Sequence, residues 1–147
     1  MEIAVLALGC FWEPEIKFSK LNGIIKTEVG YCGGNNPQTT YREVCTDKTN
    51  HAEVVKLEFD PKIISYEQVL EYFFKIHDPT TLNSQGPNFG TQYRSEIFYL
   101  NSNQKNIAEK IMGKESQRLS EKIVTKLSPV KNYCTAEEYH QRYLEKR

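Results

Sequence analysis

Apolar residues occur along the chain in short runs, separated by polar or glycine-containing breaks. Residues 3–8 form a continuous apolar run that ends at Gly9, a pattern that predicts a buried strand. Residues rich in β-formers also fill four later segments, at 24–31, 51–59, 96–100 and 123–127. The five segments predict the strands of a single sheet.

Helical signals fill most of the intervals between these strands. The predicted helices cover residues 11–21, 65–77, 101–119 and 135–147. The first has Pro14 in its first turn, where no backbone N–H is needed. The second begins with a capping box, Ser65-x-x-Gln68, in front of an apolar face. Thr135-x-x-Glu138 predicts a cap for the last helix.

The order of these elements predicts an α+β fold with one domain over residues 1–147. Strands and helices follow one another as β-α-β-β-α-β-α-β-α, which favours a two-layer sandwich of a mixed β-sheet with helices packed on it. A length of 147 residues fits one domain. Residues 78–94 show no periodicity, and a loop of that length in a compact domain is often functional.

Composition narrows the functional classes. Lys+Arg and Asp+Glu both number 19, so the formal net charge is zero, and 39% of residues are hydrophobic. These values argue against a disordered or membrane-embedded chain, and against nucleic acid or an anionic membrane as partner. The N-terminal apolar run is too short for a signal segment and lacks basic residues before it. We therefore expect a cytoplasmic protein in a reducing setting.

Cys10 lies between a predicted strand and a predicted helix. Unpaired N–H groups at a helix N-terminus favour a thiolate, so this position predicts a raised thiolate fraction. Phe11 and Trp12 would place an aromatic wall beside the sulfur, suited to a methyl-bearing substrate. The alternative is that all three residues only fill the core, and spacing alone does not separate the two interpretations.

The remaining cysteines and the histidines give no metal-site pattern. No cysteine pair has C-x-x-C spacing, and His51, His77 and His140 lack the i, i+4 pairing of helical ligands. We expect no bound metal.

Eight segments, in order, carry a family resemblance. They are Gly9-Cys10-Phe11-Trp12-x-x-Glu15, Gly30-Tyr31-x-Gly33-Gly34, Tyr41-Arg42-Glu43-Val44-Cys45, His51-Ala52-Glu53-Val54, Phe59-Asp60-Pro61, His77-Asp78-Pro79, Gly90-Thr91-Gln92-Tyr93-Arg94-Ser95 and Tyr139-His140-Gln141. Together they resemble peptide methionine sulfoxide reductase of the A type over residues 9–143. The resemblance implies a ferredoxin-like fold of that family and thiol-dependent reduction of methionine S-sulfoxide, a repair activity under oxidative stress.

The resemblance also implies roles for individual residues. Cys10 matches the nucleophile that attacks the sulfoxide sulfur, and Phe11 and Trp12 match the pocket for the methyl group. Glu53 matches the proton donor, while Tyr41 and Tyr93 match the tyrosines that bind the sulfoxide oxygen. The chemistry agrees, because a sulfoxide oxygen leaves sulfur readily only when it is protonated.

Glu53 can act as an acid near neutral pH only if its pKa is raised by burial or by a nearby anion. Because two adjacent negative charges repel strongly, we expect Cys10 and Glu53 to share at least one proton. The alternative for Glu53 is a solvent-facing strand residue.

Attack leaves a sulfenic acid on Cys10, which a second thiol must resolve. In many family members that thiol lies in a Gly-rich C-terminal tail, which we do not find after Tyr139-His140-Gln141. We predict Cys134 as the resolving thiol, with Cys32, in a flexible glycine loop, second, and direct reduction by an external thiol third. Cys45 is interpreted as structural. The resemblance implies no bound cofactor, and thioredoxin or another dithiol as reductant.

Two further positions accompany the predicted site. Asn88 stands where the family usually has an aspartate, and as an amide it can hydrogen-bond but holds no charge. His51 is a candidate neighbour of the site, and Arg94 is predicted to be a structural ion-pair partner.

Two alternatives remain open for the function. One is another thiol enzyme that cycles through a sulfenic acid, such as a peroxidase. The other is a non-catalytic binder of oxidised or methionine-rich peptides. For the favoured function we expect methionine sulfoxide, in proteins or free, as substrate and a monomer as the working unit.

Overall fold

The computed structural model describes residues 1–146, which fold into a sheet with helices packed on it. The strands are β1 Glu2–Leu8, β2 Ile24–Cys32, β3 Ala52–Phe59, β4 Ser84–Gln85, β5 Asn88–Phe89, β6 Ser95–Tyr99, β7 Lys126–Pro129 and β8 Cys134–Thr135. The helices are α1 Trp12–Ser19, α2 Tyr41–Val44, α3 Tyr66–Lys75 and α4 Ser102–Arg118, with 3-10 turns at Thr91–Tyr93 and Glu138–His140.

Six strands form the main sheet in the order β7-β6-β1-β3-β2-β8. The β6–β7 pair is parallel and the other neighbours are antiparallel, so the sheet is mixed, as predicted. Side chains alternate between the two faces of a strand. One face carries the larger core, which packs with residues of α1, α3 and α4 and includes Tyr31, Val55 and Leu57. The α+β two-layer architecture is therefore confirmed.

The opposite face of the sheet carries a smaller apolar cluster around Val54 and Phe98. A buried ion pair also lies at the start of β6, where Arg94, the residue before the strand, donates from Nε to Glu96 Oε1 over 2.6 Å. Ser128 donates to the other oxygen of the same carboxylate. The prediction of Arg94 as an ion-pair partner is confirmed.

Local signals located the second and third predicted helices well. The Ser65 side chain accepts from Gln68 N, and the Gln68 side chain accepts from Ser65 N, so the predicted capping box exists. The buried face of α3 includes Val69, Leu70 and Phe73. No helix within residues 1–146 combines the length and apolar character that crossing a membrane requires.

The predicted C-terminal helix is wrong. Thr135 lies in β8 and its hydroxyl donates to Glu28, so it does not cap a helix. The backbone N–H of Ala136 donates to Val29 O, and the Gln141 amide donates to the same carbonyl. Because these groups bind the edge of β2, the segment follows the sheet, and the one helical element that the structure describes between residues 136 and 146 is the short 3-10 turn Glu138–His140.

A similar correction applies to the strand predicted at 123–127. The observed strand, β7, begins at Lys126 and ends at Pro129. Its position is fixed by parallel pairing with β6, where Glu96 lies opposite Lys126. Such pairing between distant segments is not encoded in the local pattern of apolar residues.

Candidate active site

The predicted strand-to-helix turn brings Cys10 to the N-terminus of α1. β1 ends at Leu8, and Gly9 has a φ of +99°, which a side chain would strain. A Cβ at Gly9 would also approach Gln85 within 2.8 Å. Gln85 in turn hydrogen-bonds the backbone of Asp78 through both ends of its amide. The glycine therefore allows the long loop after α3 to pack directly beside Cys10.

Glu53 lies buried beside this turn. It is the second residue of β3, and its side chain is 1% exposed. The backbone N–H of Phe11 donates to Glu53 Oε1 over 3.2 Å. Burial raises the pKa of Glu53 to about 7, although the hydrogen bond from Phe11 opposes the shift. A carboxyl with this pKa is partly protonated at neutral pH, as an acid catalyst requires.

The thiol of Cys10 is protonated in the resting site. Burial raises its pKa to about 11, the N–H of Trp12 opposes this rise, and the negative charges of Glu53 and Glu13 add to it. The expectation of a raised thiolate fraction from the helix N-terminus is therefore wrong. The N–H of Trp12 acts in the expected direction, but loss of hydration outweighs it.

Tyr41 and Tyr93 come together through hydrogen bonds. Their hydroxyls bind each other, and burial raises the pKa of both. The charge of Glu53 raises both pKa values further, which places the two phenols near the acid. Hydroxyls with raised pKa values stay protonated near neutral pH, so they remain available as donors.

Gln92 joins Glu53 to Cys45, a contact that the sequence did not predict. Its amide nitrogen lies 3.5 Å from Glu53 Oε2 and 3.4 Å from Cys45 Sγ. Gln92 is buried, and it occupies the middle of the 3-10 turn that precedes β6. The available signal was its position inside the Gly90-Thr91-Gln92-Tyr93-Arg94-Ser95 segment.

The predicted aromatic wall is larger than Phe11 and Trp12. The Trp12 indole N–H donates to His140 Nδ1 over 3.0 Å, and the indole stacks on Tyr143 with ring centroids 3.9 Å apart. The His140 ring lies 5.2 Å from that of Phe11 and 4.7 Å from that of Tyr41. His140 therefore connects the methyl-pocket candidates to a candidate for oxygen binding.

Glu137 attaches the C-terminal segment to the same site. Tyr31 Oη donates to Glu137 Oε1 over 2.7 Å, and Tyr41 N donates to Glu137 Oε2 over 2.9 Å. These bonds explain why the pKa of Glu137 is lowered despite its partial burial. One carboxylate thus fixes the start of α2 against β2.

A cavity of about 440 Å³ opens beside Cys10. Its walls include Trp12, Lys17 and Asn88, together with other residues of α1 and of the β4–β5 turn. The cavity lies on the Trp12 side of Cys10, and Tyr41 and Tyr93 do not line it. Asn88 is half-buried in β5 and lines the same cavity as Cys10.

The sequence and fold comparisons agree with this arrangement. The model of the family "Peptide methionine sulfoxide reductase" matches residues 2–147. The "Peptide methionine sulfoxide reductase MsrA" of Pelagibacter ubique is 74% identical over 147 residues, the whole of both chains. The chain belongs to the peptide methionine sulfoxide reductase family.

Solved structures agree with the assignment. The structure of Mxr1 from Saccharomyces cerevisiae in reduced form has a TM-score of 0.91 and is 41% identical, with 99% of this chain and 85% of that chain covered. A second structure, of Mxr1 in complex with Trx2, has a TM-score of 0.66 and is 28% identical, with 97% and 84% covered. The activity of the reductase is the thiol-dependent conversion of methionine S-sulfoxide to methionine.

The other three cysteines of the reductase occupy different surroundings. Cys32 is the last residue of β2, fully buried in the cluster on the opposite face of the sheet, so its predicted place in a flexible glycine loop is wrong. Cys134 is half-buried in β8 opposite Tyr31, with its sulfur 3.7 Å from Thr39 O. Cys45 is exposed directly after α2.

His51 lies apart from the residues gathered around Cys10. Its Nε2 is 2.9 Å from Asn36 O, and its ring packs so closely on Gly34 that a Cβ there would clash. This places His51 under the 33–37 loop, where it is a structural residue. Within residues 1–146 of the reductase, no group of three or more His, Cys, Asp or Glu side chains is arranged to hold a metal ion.

Proposed function

We propose that Cys10 and Glu53 together reduce methionine S-sulfoxide in this site. The observation that carries the proposal is the buried Glu53 carboxyl on the N–H of Phe11, next to the Cys10 thiol. Its pKa of about 7 and its charge effect on Cys10 support a pair that exchanges protons.

The reaction needs one proton, and the site can supply it. The Cys10 sulfur attacks the sulfoxide sulfur while Glu53 delivers a proton to the sulfoxide oxygen. The oxygen then transfers to Cys10 as hydroxyl, which leaves Cys10 sulfenic acid and methionine. Because the proton of the Cys10 thiol ends on the transferred oxygen, Glu53 acts as a carrier and is regenerated.

Tyr41 and Tyr93 assist by donating hydrogen bonds to the oxygen as negative charge develops on it. Their mutual hydrogen bond and their proximity to Glu53 support this role. Phe11 and Trp12 provide the apolar wall for the methyl group. The cavity beside Trp12 and Asn88 can accept the rest of the side chain or a peptide around it.

The sulfenic acid must then be reduced by thiols. Mxr1, which the chain resembles, has been solved in complex with Trx2, and this supports thioredoxin or a similar dithiol as the final reductant. The reductase binds no cofactor in this scheme and acts as a monomer. The reaction needs free thiols at the start of each cycle, which a reducing, cytoplasmic setting maintains.

A thioredoxin-coupled assay tests the function. The reductase should consume reductant with the S epimer of a dabsylated methionine sulfoxide and not with the R epimer. Hydrogen peroxide should be a poorer oxidant than the S epimer. Cys10→Ser should abolish turnover, and Glu53→Gln should lower it by about 10²-fold or more. Turnover that survives in Cys10→Ser would overturn the proposal.

A further inference from the structure

We propose that Cys45 is the resolving thiol, which attacks Cys10 sulfenic acid and forms a Cys10–Cys45 disulfide. The proposal rests on the proposed function, because it requires a sulfenic acid on Cys10. It replaces the sequence-based preference for Cys134. Cys45 shares hydrogen-bond partners with the residues around Cys10.

Gln92 provides the most direct of these links. A single amide nitrogen lies 3.4 Å from Cys45 Sγ and 3.5 Å from Glu53 Oε2. Glu53 itself accepts from the N–H of the residue that follows Cys10. The Cys45 sulfur is therefore one side-chain contact away from the acid that serves Cys10.

The two tyrosines provide the second link. The Tyr41 hydroxyl is hydrogen-bonded to the Cys45 thiol. Tyr93, which hydrogen-bonds Tyr41, lies within electrostatic range of both Cys45 and Cys10. The Tyr93 phenol therefore lies near both sulfurs.

The other cysteines have longer or blocked routes. Cys32 pairs with Ala52 of β3, and both lie on the face of the sheet that carries the smaller apolar cluster. Glu53 follows Ala52 in the same strand, so its side chain lies on the opposite face. The sheet therefore separates Cys32 from Cys10. Cys134 lies opposite Tyr31, with β2 between it and Glu53 on β3.

The surroundings of Cys45 allow it to approach. Cys45 is exposed and follows a helix of only four residues, of which only Val44 is buried. A disulfide requires Cα atoms roughly 5.5 Å apart. Rearrangement of residues 45–48, which are all exposed, would bring the sulfur inward without disturbing the core contact of Val44.

The step balances with groups already present. The Cys45 sulfur forms a bond to the Cys10 sulfur, and the Cys10 S–O bond breaks. Glu53 can accept the proton of the Cys45 thiol and pass it to the hydroxyl on Cys10. The hydroxyl then leaves as water. A dithiol of the thioredoxin class then reduces the disulfide by exchange and becomes oxidised itself.

The experiment maps the disulfide after a single turnover. The fully reduced chain is mixed with one equivalent of methionine S-sulfoxide, free thiols are blocked, and the non-reduced digest is examined by mass spectrometry. We expect a peptide pair joined through Cys10 and Cys45. A Cys10–Cys134 or Cys10–Cys32 link, or Cys10 sulfenic acid that persists in the unsubstituted chain, would overturn the proposal.

Matched variants separate this step from the first one. Cys45→Ser should still release one methionine per chain, should accumulate sulfenic acid that dimedone traps, and should lose at least tenfold in thioredoxin-coupled kcat. Cys134→Ser should keep its coupled kcat within about twofold. Failure of the methionine burst in the unsubstituted chain would instead contradict the proposed function. Unchanged coupled turnover in Cys45→Ser would overturn the role of Cys45.

Discussion

Glu53 Oε1 accepts a hydrogen bond from the backbone N–H of Phe11, 42 residues away in the chain, over 3.2 Å. This bond joins the start of β3 to the turn that carries Cys10. It places an acid and a nucleophile next to each other, and it lies within a site that is otherwise aromatic. The electrostatic coupling between the two groups can be measured.

The first prediction concerns alkylation of Cys10. The charge of Glu53 raises the pKa of the Cys10 thiol, so Glu53→Gln should lower that pKa below its present value of about 11. The iodoacetamide rate at Cys10 should then rise at a lower pH than in the unsubstituted chain. Glu13→Gln is the matched control, because Glu13 contributes less than Glu53 and should shift the midpoint less. Identical profiles for Glu53→Gln and the unsubstituted chain would contradict the coupling.

The second prediction concerns stability against pH. The pKa of Glu53 is raised from 4.5 to about 7, so the folded chain binds more protons than the unfolded chain between these values. Stability should therefore fall as pH rises through this window, by about 3 kcal/mol from this group. Glu53→Gln lacks the titrating carboxyl, so the variant should not show this loss of stability.

Urea unfolding under reducing conditions measures the effect. From pH 5 to pH 8, the unfolding free energy of Glu53→Gln should increase relative to that of the unsubstituted chain. Other titrating groups are common to both chains and cancel in the comparison. A difference that does not change with pH would rule out the raised pKa.

The third prediction concerns the two tyrosines. Loss of one well-placed oxyanion donor costs up to about 10²–10³-fold in rate. Tyr41→Phe and Tyr93→Phe should each cost less than this, because the other hydroxyl and Glu53 still donate. The double variant should lose at least 10²-fold in kcat/KM for methionine sulfoxide. Equal activity of the double variant and the unsubstituted chain would remove the tyrosines from the mechanism.

The fourth prediction concerns His140 and Trp12. Because the indole N–H donates to Nδ1, His140 must be neutral with its proton on Nε2. Burial lowers the His140 pKa, although the charge of Glu137 opposes the shift. His140 should therefore become protonated only at a pH below the ordinary pKa range of histidine, and this protonation should break its hydrogen bond to Trp12.

Trp12 is the one tryptophan of the sequence, so its fluorescence reports on this bond. Emission should be constant near neutral pH and change only as the solution becomes acidic. His140→Asn, which keeps an acceptor near the Nδ1 position, should abolish this titration. His140→Phe, which keeps a ring but no acceptor, should raise KM more than it lowers kcat. A titration that persists in His140→Asn would assign it to another group.

The sequence predicted those parts of the site that depend on neighbours in the chain. The apolar run that ends at Gly9, followed by Pro14, placed Cys10 at a strand-to-helix turn, and the capping box at Ser65 placed α3. Both signals act within a few residues. The roles of individual side chains came from the family resemblance and not from these patterns.

Features formed by distant segments were not predicted. The Trp12–His140 bond spans 128 residues and the Tyr31–Glu137 bond spans 106, so no local pattern encodes them. The same long-range docking replaced the predicted C-terminal helix with β8 and a 3-10 turn. The Cys10 pKa was predicted in the wrong direction because the sequence does not reveal how far burial outweighs one backbone N–H.

The central claim is that one Cys10 thiol and one Glu53 proton convert one sulfoxide. The most direct test mixes reduced chain with one equivalent of methionine S-sulfoxide, without reductant, and quantifies methionine over time. We predict one methionine per chain in a rapid burst, a burst slowed by at least about 10²-fold in Glu53→Gln, and none in Cys10→Ser. A burst of full rate in Glu53→Gln, or any burst in Cys10→Ser, would contradict the account.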